Sequence, residues 1–111
     1  MKNFIQKGDT ITLTAPYNVS SGGGLLVGSI FGVASNDASS GNDVETATQG
    51  VFSIAKTSAQ AWTQGALIYW DDTNKVCTTT SSTNKLVGTA TAAAANPSST
   101  GYVRLNGAFI S

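Results

Sequence analysis

Short runs in which apolar and polar residues alternate, separated by turns rich in Gly, Asn and Ser, restrict the fold of this chain most strongly. Residues 10–14 read Thr-Ile-Thr-Leu-Thr, which places Ile11 and Leu13 on one face of a strand and threonines on the other. Similar runs recur along the sequence. Helical character is limited to a candidate turn at 59–64 and to the Ala-rich end of 86–95, where a strand is preferred over one short helix turn. The pattern predicts an all-β fold, either a small single-domain β-barrel or a β-sandwich.

Two further segments support this expectation. The apolar run 25–34 contains Gly28 and Gly32, which in strands usually mark bulges or close backbone approach. Turn residues at 71–74 predict a hairpin between strands at 66–70 and 76–80. The predicted core consists of the apolar residues assigned to the inward faces: Ile11, Leu13, Leu26, Ile30, Val33, Phe52, Ile54, Leu67, Tyr69, Leu86, Val103 and Leu105.

Charge is sparse and histidine is absent. Six residues of each sign occur among 111, whereas about a quarter of an ordinary soluble domain is charged. The missing histidine removes the commonest general base and metal ligand, so the composition favours assembly over catalysis. The cations are scattered rather than grouped in the basic stripe that nucleic acid or an anionic membrane requires. We therefore expect no direct nucleic-acid or membrane partner.

The length and the ends suggest a simple organisation. A chain of 111 residues fits one domain, which we place at 9–111 behind an N-terminal arm at 1–8. The first residues lack the apolar core of a signal peptide, and no run approaches the ~20 apolar residues of a membrane span. We expect a protein made in a cytoplasm.

No motif predicts catalytic, cofactor-binding or metal-binding residues, so we expect no cofactor. In the stretch 22–29, Gly23 and Gly28 have the glycine spacing of a P-loop, but Ser29 stands where the lysine belongs. The carboxylates are better explained as solvated charges and turn residues, although Asp43 and Glu45 would share one strand face. A single cysteine, Cys77, allows no intramolecular disulfide, and its adjacent residues Val76 and Thr78 give it no cationic environment.

Large aromatic and terminal apolar residues are the candidates for an interface: Phe4, Ile5, Trp62 and Trp70. If Tyr69 points inward, Trp70 lies outside or at a subunit boundary; alternatively, the indole is covered by loops of its own chain. The arm containing Phe4 and Ile5 either adds to a neighbouring subunit's sheet edge or packs on its own barrel.

Six blocks of sequence, in order, resemble one family. They are KNFIQKGDTITLTAP at 2–16, LVGSIFGVA at 26–34, QGVFSIAK at 49–56, GALIYWDD at 65–72, LVGTATAAA at 86–94 and VRLNG at 103–107. Together they resemble a family of small tailed-phage and prophage proteins, catalogued as a domain of unknown function and described as capsid cement or decoration proteins.

The resemblance implies a virion structural protein on the capsid exterior, made in the bacterial host cytoplasm. It further implies a homotrimer at a local threefold position that binds the major capsid protein, bridges neighbouring subunits and strengthens the head. It implies no catalytic residue. Some family members have been labelled RecA/RadA-type recombinases, which would require a complete P-loop and a larger α/β sheet.

Two other functions remain open. A head-fibre or host-surface glycan-binding module would group exposed aromatic side chains in a concave site among the Thr/Ser-rich loops. A nucleotide-dependent recombination factor is the enzymatic alternative, and its phosphate-binding lysine is missing.

Overall fold

The structure is a computed structural model that describes residues 9–107, and within that range it contains strands and no helix, so the all-β prediction is confirmed. Its strands form two antiparallel sheets. In chain order they are β1 (Thr10–Thr14), β2 (Gly24–Val27), β3 (Ile30–Ala34), β4 (Asp43–Ala47), β5 (Gln49–Ala55), β6 (Leu67–Asp71), β7 (Val76–Thr78), β8 (Lys85–Ala90) and β9 (Thr100–Asn106).

The two sheets share one continuous segment of chain. The first has the order β1-β4-β3-β2, and the second, a half-barrel, has the order β5-β9-β8-β6-β7. Strand β4 passes into β5 through Thr48, whose N–H donates to the Asp9 carbonyl at 2.8 Å. A parallel bridge between Lys56 and Cys77 draws the end of β5 towards β7. The half-barrel is thus partly closed at this end.

Side chains of the first sheet complete the core of the half-barrel. Phe31 and Val33 of β3 belong to the same buried cluster as Ile54, Ile68 and Val103 of the half-barrel. The Phe31 ring lies 5.0 Å from that of Trp70, centroid to centroid, in a tilted arrangement. The main core therefore depends on both sheets.

The opposite face of the first sheet forms a second, smaller core. Leu25, Ala34 and Val44 pack there with Ala15 and Val19 of the connection between β1 and β2. Because β2 and β3 have apolar contacts on both faces, their sequence reads as a continuous apolar run rather than an alternating one.

Both indoles pack against bare glycine backbone. A Cβ at Gly24 would lie 2.8 Å from the Trp70 ring, and a Cβ at Gly101 would lie 2.3 Å from the Trp62 ring. Non-bonded carbon atoms approach to about 3.5–4.0 Å at best. Any side chain at these two positions would therefore displace a tryptophan from the core.

The predicted inward face of β6 and β8 is wrong. Leu67 and Leu86 are 53% and 42% exposed, whereas their neighbours Ile68 and Val87 are 0% and 7% exposed. Apolar residues occupy successive positions in both strands, so the sequence does not say which face is inward, and a one-residue slip reverses every side chain. The β6–β8 register also shifts between Ile68 and Tyr69.

The other predicted core residues are buried or half-buried in the structure. Val33, Ile54, Val103 and Leu105 are buried. Half-buried positions are Ile11, Leu13, Leu26, Ile30, Phe52 and Tyr69. The candidate helical turn at 59–64 is absent, because Trp62 instead forms a β-bridge with Ala94.

Substitution of adjacent residues tests the corrected face. Ile68→Ala should lower the free energy of unfolding by about 2–5 kcal/mol, because it leaves a cavity in a fully buried site. Leu67→Ala, which removes similar volume from an exposed position, should cost less than about 1 kcal/mol. Urea denaturation measures both values, and equal losses would contradict the assignment.

A polar network fastens the connection after β1 to the turn between β6 and β7. The Tyr17 hydroxyl donates to the Gly24 carbonyl at 2.7 Å, and Lys75 Nζ lies 4.1 Å from the centroid of the Tyr17 ring. Asp72 accepts from Trp70 Nε1 at 3.0 Å and pairs with Lys75 at 3.2 Å. These contacts link the two sheets outside the apolar core.

Tyr17→Phe should weaken this link in a pH-dependent way. Burial, with a smaller contribution from the Asp72 charge, raises the pKa of Tyr17 from 10.0 to about 12. The folded state thus favours the neutral phenol. The contribution of Tyr17 to the free energy of unfolding is therefore fully present below pH 10 and is lost as the pH rises towards 12. The variant should lose about 1 kcal/mol at neutral pH, the value of one hydrogen bond. Its stability should also fall less than that of the wild type between pH 10 and 12; parallel pH profiles from urea titrations would contradict this.

Candidate interaction surface

The described carboxylates do not assemble into a metal or acid–base site. Among residues 9–107 no group of three or more His, Cys, Asp or Glu side chains is placed to hold a metal ion. Asp43 and Glu45 share the exposed face of β4, and Glu45 accepts from the Thr12 hydroxyl at 2.5 Å. Asp71 organises the β6–β7 turn by accepting from the backbone N–H and the side-chain amide of Asn74 and from the N–H of Thr73, and these bonds lower its pKa.

The glycine-rich stretch at 22–29 is part of a β-hairpin. Strand β2 begins at Gly24, and a turn at Gly28 and Ser29 leads directly into β3. A P-loop instead lies between a strand and a helix whose N-terminal amides face the phosphates. This segment therefore lacks the backbone geometry as well as the lysine.

Lys56 is a buried cation that the sequence analysis did not identify. It is 3% exposed, and its Nζ donates to the carbonyls of Thr57, Ser58 and Ala95 at 2.9, 3.5 and 3.4 Å. The ammonium also lies 5.7 Å from the Trp62 ring centroid. Lysine is almost never fully buried unless it is paired, so a lysine in a sequence is expected to be exposed. No local pattern around Lys56 signals otherwise. Its role here is to hold two loops together.

The tryptophans predicted at an interface lie inside the domain. Trp62 and Trp70 are each 2% exposed and belong to the main core. Trp70 points inward and Tyr69 is half-buried on the other face of β6, so the orientation that placed Trp70 outside is wrong. Trp62 and Trp70 both follow the alternative, in which the indole is covered by its own chain. Phe4 and Ile5 lie outside the described residues.

The exposed large hydrophobic residues of the described chain gather on one face. They are Val51, Leu67, Leu86 and Tyr102, between 42% and 57% exposed, and all lie on the outer side of the half-barrel. We call this surface, with Arg104, the outer apolar face. Scattered apolar residues are ordinary on a protein surface, whereas a contiguous group indicates an interaction site.

Strand register makes this face continuous. Val51 is opposite Arg104, Arg104 is opposite Thr89, and Thr89 is opposite Leu67, which gives one row across four strands. Side chains directly opposite each other on neighbouring strands lie about 4.5–5.5 Å apart at Cβ. The sequence analysis missed this face because it had assigned Leu67 and Leu86 to the core.

The two ends of the described range lie close together. Asp9 is bonded to Thr48, and the following residue, Gln49, is opposite Asn106 in the β5–β9 register. The described chain therefore begins and ends at the junction between the sheets, and the segments 1–8 and 108–111 lie outside the described range. Each segment contains a Phe-Ile pair, at 4–5 and 109–110.

An all-β fold that leaves a contiguous apolar face open has the character of a protein that binds other protein surfaces. The family model of the phage cement proteins matches residues 5–105, and the chain belongs to that family. This confirms the resemblance inferred from the six sequence blocks. No curated protein and no solved structure matches the chain. No helix among residues 9–107 is long and apolar enough to cross a membrane.

Cys77 should behave as an inert thiol. It is 0% exposed, and burial raises its pKa from 9.0 to about 12. The thiolate is the reactive form of cysteine. A disulfide reagent at pH 8 should therefore modify the native protein only as fast as the protein opens, whereas it should modify the urea-unfolded protein at once. Prompt stoichiometric reaction of the native protein would contradict the burial of this thiol.

Proposed function

We propose that this protein decorates the outside of an assembled phage head and cements it by bridging neighbouring major capsid subunits. The match to the cement family over residues 5–105 carries the proposal. The outer apolar face supports it, because a protein that assembles on a shell needs a surface complementary to other polypeptides. The protein is made in the bacterial host cytoplasm and acts in the virion.

The energy of cementing comes from many modest contacts. Burial of one Val or Leu side chain is worth about 1.5–3 kcal/mol, and binding to a repetitive shell multiplies such contacts through effective concentration. Twelve charged residues in 111 leave little scope for an electrostatic interface. Binding to heads should therefore depend only weakly on salt concentration.

The arm at 1–8 is the proposed contact to the capsid. Its Phe4 and Ile5 are flanked by Lys2 and Lys7, and it adjoins Asp9 at the junction between the sheets. An extended segment can add to the sheet edge of a neighbouring subunit, where main-chain hydrogen bonds give affinity and alternate side chains give register. We further propose a homotrimer, because cement proteins that sit at threefold positions need three equivalent contacts.

The glycan-binding alternative has less support. A polar hollow of about 410 Å³ lies among the Thr- and Ser-rich loops, but no aromatic side chain lines it. The indoles that could stack on a sugar are in the core. Tyr102 lines a smaller hollow of about 250 Å³, but it is the only aromatic side chain there, so this hollow does not group aromatic side chains as a glycan site would. The hairpin at 24–34 likewise gives no support to a nucleotide-dependent recombination factor.

Co-sedimentation with heads that lack the protein tests the proposed function. Wild-type protein should bind expanded heads and raise the temperature at which they release DNA. Deletion of residues 1–8 should weaken binding at least about tenfold, which is 1.4 kcal/mol. The same deletion should lower the melting temperature of the free protein by less than about 4 °C, because an arm that reaches a neighbour adds little to its own core.

Two further variants serve as controls. Phe4→Ser with Ile5→Ser should reproduce most of the loss, and Lys2→Gln with Lys7→Gln should reproduce little of it. Absence of wild-type protein from both immature and expanded heads would overturn the cement function. Equal losses of head binding and thermal stability on deletion would show that the arm belongs to its own domain.

A further inference from the structure

The net charge of zero conceals a separation of charge between the two sheets. Residues 9–48, which contain the first sheet and its connections, carry four carboxylates and no lysine or arginine. Residues 56–107 carry four cations and two carboxylates. One part of the molecule is therefore acidic and the other has a cationic excess.

Arg104 stands unpaired at the centre of the outer apolar face. It is exposed between Val51 on β5 and Thr89 on β8, and Tyr102 lies two residues before it on the same face. The salt bridge found among residues 9–107 joins Lys75 and Asp72, so Arg104 has no carboxylate partner within the described chain. Arginine and tyrosine, surrounded by apolar residues, are the side chains enriched at the energetic centres of protein interfaces.

A surface of opposite charge is open on the first sheet. Strand β1 presents exposed threonines at 10, 12 and 14 beside β4, with Thr12 opposite Glu45 and Thr14 opposite Asp43. We call this surface the acidic face. The reverse side of the same strands packs on the second core. The acidic face carries threonine methyl groups, and residues 9–48 contribute no cation to it.

We propose that the outer apolar face of one copy of this chain docks on the acidic face of a second copy, with Arg104 paired to Asp43 or Glu45. The charges are complementary, and a molecule with no net charge does not repel its own copies. Because the two surfaces differ, the contact is heterologous. A pair of copies therefore still has one outer apolar face and one acidic face free to bind further copies. Such contacts close into a ring where the rotation allows, as in a trimer. The inference rests on the proposed self-association and not on binding to the capsid.

Each surface has a separate task in this contact. Exclusion of water from Val51, Leu67, Leu86 and Tyr102 supplies affinity. The Arg–carboxylate pair fixes the orientation and excludes wrong registers, since a like charge opposite Arg104 would cost several kcal/mol. A charge swap therefore distinguishes this arrangement from unspecific apolar association.

Charge reversal in the free protein is the first test, with the association constant read from sedimentation equilibrium. Arg104→Glu should lower the constant at least about tenfold, as should Asp43→Arg with Glu45→Arg. Combining all three substitutions should restore most of the wild-type value. Lys85→Glu is the control for net charge, because Lys85 is opposite Trp70 rather than on the outer apolar face, and it should leave association unchanged.

Disulfide cross-linking provides the second test, in free protein and on decorated heads. The double variant Val51→Cys with Thr12→Cys should form covalent chains of two and three copies under oxidation. Buried Cys77 does not compete for these bonds. Val51→Cys paired with Ser39→Cys, on the loop between β3 and β4, is the control and should form no covalent chains.

The outcomes separate the two proposals. Absence of cross-links both free and on heads, or no recovery in the triple variant, would overturn the copy-to-copy contact while leaving head binding intact. Efficient cross-linking by Val51→Cys alone would also overturn it, because the contact would then be isologous. Cross-links and charge rescue without head binding would support the contact and count against the cement function.

Discussion

The insertion of Phe31 and Val33 against the inner face of the half-barrel is the packing interaction on which the structure depends. A five-stranded sheet that curls without closing leaves apolar side chains uncovered on its concave side, and β3 supplies what is missing. The contact between the Phe31 and Trp70 rings joins the two sheets within this packing. The continuous segment β4–β5 also joins the two sheets covalently at their border.

This packing determines which surfaces are left for partners. With the concave side filled, the convex outer apolar face and the exposed halves of β1 and β4 are what the protein offers to its surroundings. One surface is apolar around a single arginine, and the other is polar and acidic. The described chain begins and ends at the border between the two sheets. The proposed contacts with the shell and with further copies would therefore use separate surfaces.

The sequence predicted the fold class and the family, because alternation, turn residues and ordered blocks are local signals. It also placed Asp43 and Glu45 correctly on one strand face. It failed where local signals are symmetric: consecutive apolar residues at 67–70 and 86–87 do not reveal which side of the sheet is inward, and that error concealed the interaction surface. The burial of Lys56 and Trp70 depends on loops and glycines distant in sequence, which no local pattern encodes.

An electron cryomicroscopy map of heads decorated with the wild-type protein is the most direct test of the account. The account predicts density for this protein on the outside of the shell, with the half-barrel's convex side covered by the next copy and the first residues extended onto a capsid subunit. A map in which the protein is absent, or in which that convex side faces bulk solvent on every copy, would contradict it.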